Sequence, residues 1–110
     1  MVIAAEVPQL IEEVNSVRGV LAELADRLAL ATPAEALSIL RAAIDAEGRA
    51  AALTGRYINL RPLAEGEERL VGPGFDEVFV PAWALRDRAM TLIAKCHEIL
   101  RLRMIEGEAR

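Results

Sequence analysis

A chain of 110 residues, 54% hydrophobic but only 4% aromatic, is one domain at most, with a core of Leu, Val, Ile and Ala. Its net charge of −4 excludes a global attraction to nucleic acid or anionic lipid. One cysteine, Cys96, excludes an intrachain disulfide and suits a reducing cytoplasm.

The first element is marked by apolar residues in an unbroken three-four rhythm: Val7, Leu10, Val14, Val17, Leu21, Leu24, Leu28 and Ala31. Two helices stay in register only if the apolar repeat averages about 3.5 residues, so this is the seam of a coiled coil or bundle. The spacing predicts a helix over 7–31, with Pro8 near its start, where a missing N–H costs nothing. Gly19 falls on the face away from the seam, and Ile11, Val20 and Leu30 widen the apolar stripe.

Thr32-Pro33-Ala34-Glu35 is a helix start, with Thr32 as cap, Pro33 in the first helical position and Glu35 in the capping-box position. The second helix is predicted over 33–54, and the short connection predicts that it folds back as a hairpin. Thr54-Gly55 is its stop signal. This helix has two apolar faces. One reads Ile39, Ala43, Ala46, Ala50, Leu53 and Tyr57; the other reads Leu37, Leu40, Ile44 and Ala51. Two faces imply two sets of partners, and a chain this short buries only part of its apolar surface alone. The expected oligomer interface is therefore the seam of helix one, Val7 to Leu28, together with Ile39, Ala43, Ala46, Ala50 and Leu53.

Residues 56–80 hold Pro62, Gly66, Gly72, Pro73 and Gly74 and read as a loop. Within it, Arg69-Leu70-Val71 and Glu77-Val78-Phe79-Val80 flank a turn, which allows a short β-hairpin. Five acids stand in 63–80 against Arg69 alone. Pro81 opens a third helix, predicted over 81–106, apolar over more than half its circumference, with Asp87, Thr91, Lys95, Glu98 and Arg101 as its polar strip.

Motifs for chemistry are sparse. His97 is the one histidine, and its neighbour Cys96 points about 100° away on a helix, so the two cannot pair. A structural histidine, buried or half-exposed, is the expectation. Asp45 and Glu47 do not make a convincing carboxylate set for a metal, and no phosphate-binding glycine loop or zinc-ligand spacing occurs. No cofactor or metal site is expected. Nor is a membrane span, because no run of about 18 apolar residues exists. The opening Met1-Val2-Ile3-Ala4-Ala5 lacks the basic region of a signal peptide.

The segment ALSILRAAIDAEGRAAALTGRY, Ala36 to Tyr57, resembles a stretch common in phage terminase small subunits, where an alanine- and leucine-rich helix with scattered basic residues ends in Leu-Thr-Gly or Leu-Leu-Gly. That family forms rings of helical hairpins, binds viral DNA and stimulates the large ATPase subunit. Many members carry an N-terminal helix-turn-helix, which is not found here. The resemblance implies a DNA-packaging adaptor in the host cytoplasm, with Arg41, Arg49, Arg56 and Arg61 as weak, nonspecific phosphate contacts. The expectation is thus an all-α chain: an antiparallel helical hairpin, a loop or short β-hairpin, and a long C-terminal helix. It would act as a non-enzymatic homo-oligomeric adaptor that meets a protein partner through 63–110. Two rivals stand beside it. One is a small inhibitor or antitoxin-type protein acting through its acidic loop; the other is a bundle enzyme with a carboxylate-held metal at Asp45 and Glu47.

Overall fold

The computed structural model describes residues 2–60 and 75–109, with the side chains of 7–59 and 75–102. The described residues are helical throughout apart from the turn at 29–32, as the apolar periodicity requires. Helix α1 spans Val2–Leu28, α2 spans Pro33–Leu60, and a short π-helical turn, Phe75–Phe79, leads into α3, Val80–Ala109. The expected hairpin joins α1 and α2. The Leu30 and Ala31 N–H groups donate to the Arg27 and Leu28 carbonyls, both at 3.3 Å, which closes α1. The capping box then starts α2: the Glu35 N–H donates to Thr32 Oγ1 at 3.2 Å, and that hydroxyl donates to Glu35 Oε1 at 3.1 Å.

Helix α1 closes at Leu28, short of the expected 31, and element boundaries differ from the sequence reading in three further places. Helix α1 begins at Val2, so Pro8 lies inside it and withholds the N–H that would meet the Ala4 carbonyl. Helix α2 runs through Thr54-Gly55 to Leu60. Leu53, Thr54 and Tyr57 are buried there, and the Thr54 hydroxyl donates to the Ala51 carbonyl at 2.7 Å. Tertiary burial outweighs a glycine stop worth about 1 kcal/mol. Residues 77–80, expected as the second strand of a β-hairpin, instead form the π turn and the first residue of α3. Phe75 stacks on Phe79 one turn later, with ring centroids 5.3 Å apart, which favours the coiled backbone over an extended one. The first strand, 69–71, lies outside the described residues.

Helix α2 packs against both neighbours, most extensively against α3, and α1 also meets α3. Two ion pairs set the register. The Arg49 Nε–H donates to Glu13 Oε1 at 2.8 Å between α2 and α1, and the Arg86 Nε–H donates to Glu47 Oε1 at 3.3 Å between α3 and α2.

The core corrects the expected oligomer interface. Leu10, Val14, Val17, Leu21, Leu24 and Leu28 are no more than 8% exposed within one chain, and Val7 packs against the same cluster. Ile39, Ala43, Ala46, Ala50 and Leu53 join it. These side chains are already covered by the chain's own helices and form no contact surface for another copy. The physical reason is α2's alanine face, which lets neighbouring axes approach closely, together with α3, whose Ala82, Leu85, Ala89, Leu92 and Cys96 close the remaining side.

Candidate protein-docking face

On the second apolar face of α2, Leu40 packs against the core and Ala51 is half-buried, while the larger outer side chains are left exposed. Leu37 is 42% exposed, Ile44 53% and Ile58 39%; on α3, Trp83 is 47% and Met90 56% exposed. Helical geometry brings these five to one side. At about 100° per residue, Leu37, Ile44 and Ile58 lie on the flank of α2 that also carries Glu47, and Trp83 and Met90 lie on the flank of α3 that carries Arg86. Because Glu47 and Arg86 pair with each other, the two flanks adjoin. The opposite flank of α2 carries Arg49 and meets α1. These five side chains therefore form a two-helix face directed away from α1, while Leu30, Val80 and Leu102 are exposed elsewhere. In the antiparallel register fixed by Glu47 and Arg86, Met90 falls level with Ala43, one residue from Ile44, and Trp83 falls level with Ala50, one residue from Ala51.

An aromatic cluster stiffens one end of this face. All four aromatic residues of the chain gather there: Tyr57, Phe75, Phe79 and Trp83. Phe79 tilts against Tyr57 at 5.7 Å and meets Trp83 edge-on at 6.2 Å. The Arg86 guanidinium lies 4.6 Å from the centre of the Trp83 ring, a cation–π contact, while also donating to Glu47. Trp83 is thereby held in one orientation with its outer face in water. Rigid aromatic and arginine groups of this kind lose little freedom on docking, which is why they dominate binding energy at protein interfaces.

The remaining candidates do not converge. Arg49 is half-buried, and its guanidinium is bound to Glu13 and, at 3.0 Å, to Ser16 Oγ, so its charge is answered within the chain. Arg41 and Arg56 are exposed but stand about 22 Å apart along α2. Arg61 lies outside the described residues, as do Glu65, Glu67 and Glu68 of the acidic segment; Asp76 and Glu77 are exposed on the π turn. Asp45 and Glu47 point to opposite sides of α2, and Glu47 is taken by Arg86. Among the described residues no group of three or more His, Cys, Asp or Glu side chains comes together. His97 is exposed, contrary to the expected buried or half-exposed histidine, whereas Cys96 is buried, and burial pushes its thiol pKa up. Two adjoining open grooves of about 270 and 420 Å³ run between α1 and α3, both bordered by Ala25, Leu92 and Lys95. Among the described residues no helix is long and apolar enough to cross a membrane.

The Leu37–Ile44 face and the apolar breadth of α3 are both visible in the sequence, but only the folded register joins them. Ile58, in the segment that reads as a loop, joins the face because α2 continues to Leu60, and the aromatic cluster assembles from residues distant in sequence. Its signal was present: all four aromatics fall between residues 57 and 83. Comparison of the chain with protein-family models, with curated proteins and with solved structures gives no significant match.

Proposed function

We propose that this chain is a non-enzymatic helical adaptor that acts by docking its α2–α3 face onto another protein. One observation carries the reading: five large apolar side chains, each between 39% and 56% exposed, align on one two-helix surface around a rigid Trp83–Arg86 pair. Continuous exposed apolar patches mark interaction sites in folded proteins, whereas single exposed apolar residues do not. The charges within the face, Glu47 and Arg86, cancel each other, so the patch offers area and shape more than attraction.

Hydroxyl-radical footprinting tests this. Trp83 and Met90 should be oxidised readily in the dilute purified chain and be protected in the cells that produce it. Equal oxidation in both settings would overturn the reading.

The likeness of Ala36–Tyr57 to terminase small subunits supports a narrower version, in which the partners are duplex DNA and a packaging ATPase. Arg41 and Arg56, both exposed, would then carry the phosphate contacts. Binding of labelled duplex at low salt, weakening steeply as salt rises, is the result this version requires. Absence of binding at low salt would remove it.

A further inference from the structure

We infer that the α2 side of this face pairs with a second copy of the chain, antiparallel, about a two-fold axis at Ala51. The inference rests on the docking reading above and names its occupant. Three independent features of α2 lead to it.

The first is the period. Leu37, Ile44, Gly48, Ala51, Gly55 and Ile58 succeed one another in steps of seven, four, three, four and three, a 3.5-residue repeat in which Arg41 takes the position between Leu37 and Ile44. That is the repeat demanded by a helical partner running alongside. The same rhythm in α1 finds its partners inside the chain; among the described residues this one finds none.

The second is size. A Cβ built on Gly48 or Gly55 meets nothing within 4 Å. Both glycines weaken α2, and no contact within the described chain requires them. Their use appears when another backbone is brought close. Around Ala51 the pattern is nearly palindromic: Ile44 and Ile58 stand seven residues to either side, with Gly48 and Gly55 between. An antiparallel copy centred there sets Ile44 against Ile58 of the second copy, twice, and brings small residue to small residue in the middle. A two-fold interface has to be self-complementary in this way.

The third is charge, and it selects the orientation. Asp45 and Arg56 are exposed, and neither has an ion-pair partner among the described residues. Eleven residues apart, they lie on the same flank of the seam, away from α3. Antiparallel pairing about Ala51 puts Asp45 beside Arg56 of the second copy at both ends. Parallel pairing would carry this flank to opposite sides of the seam in the two copies, so that neither Asp45 nor Arg56 meets the other across it. Trp83, within one residue of level with Ala51 on the α3 flank, lies close to the two-fold axis, so the emission of this one tryptophan reports the event.

Sedimentation equilibrium of the full chain across the micromolar range, followed in parallel by Trp83 emission, tests the inference. The wild type should reach twice its 12.0 kDa mass and no more. Asp45→Arg or Arg56→Asp alone should weaken dimerisation by about tenfold or more, because each creates two like-charge contacts. The double exchange, Asp45→Arg with Arg56→Asp, should recover affinity to within about threefold. Ile44→Lys should give a monomer with an unchanged helical spectrum, since that side chain already faces water. A monomer at every concentration, a larger assembly, a dimer indifferent to Ile44→Lys, or failure of the double exchange to rescue would each overturn the pairing. A wild-type monomer whose Trp83 and Met90 are still protected in cells would sink the self-pairing alone and leave the docking reading standing.

Discussion

Replacing glycine by alanine on α1 and α2 separates the demands of folding from those of docking. Gly19 on α1 and Gly48 and Gly55 on α2 are all helical, and a Cβ at any of the three meets no atom within 4 Å. Alanine at such a site adds no clash, restricts the unfolded chain and suits the helix, so each change should stabilise the isolated subunit by about 1 kcal/mol. In a domain of this size that is a rise in melting temperature of about 4–8 °C. Circular dichroism melts at high dilution measure it. Association should respond differently. Gly19→Ala, far from the α2 seam, should leave it unchanged, while Gly48→Ala and Gly55→Ala push the paired backbones apart and should weaken it. A fall in melting temperature for Gly48→Ala at high dilution would refute the packing described around that residue. Equal effects of all three changes on association would refute its place at a contact.

Two further outcomes follow from the hairpin and the core. Thr32→Ala removes the acceptor for the Glu35 N–H and should cost about 1 kcal/mol in chemical denaturation, with a change below about 0.3 kcal/mol counting against the cap. Cys96 is buried with its thiol pKa raised, so the folded chain holds that proton more tightly than the unfolded chain does. Its contribution is present below the ordinary thiol range and is lost as pH climbs through the raised value, so stability should decline as pH rises past the ordinary thiol range, and the decline should be smaller in Cys96→Ala. At neutral pH a thiol reagent should modify Cys96 only as fast as the bundle opens; rapid modification of the native chain would contradict its placement.

The helices were legible because each carries its own local signal. The three-four rhythm fixed the buried side of α1 to the residue, and Thr32 to Glu35 fixed the hairpin. What the sequence could not decide was who covers the seam. A 3.5-residue repeat asks for a neighbouring helix and is silent on whether that helix belongs to the same chain. The answer lies in long-range placement: α3 returns along α2, with Arg86 reaching Glu47 across thirty-nine positions of sequence. The end of α2 is hidden from the sequence for the same reason. Gly55 is a local stop, but Leu53 and Tyr57 are held by residues far along the chain, and Phe79 reaches Tyr57 only after the fold exists. The docking face was half legible. Leu37, Ile44 and Ala51 stood out as a second stripe, while Trp83 and Met90 could be joined to it only once the Glu47–Arg86 register was known.

Helix α2 has an inner face that folds the chain and an outer face that is the proposed docking surface. Ile39 and Ile44 form a matched pair for testing that division: the same residue type on the same helix, one 0% and the other 53% exposed. Unfolding free energies of Ile39→Ala and Ile44→Ala, measured on the dilute chain, should differ sharply: a loss of about 2–5 kcal/mol for the buried position, and within about 0.5 kcal/mol of wild type for the outer one. Ile39→Ala that keeps its stability but loses self-association would return the inner face to the subunit interface and contradict the account.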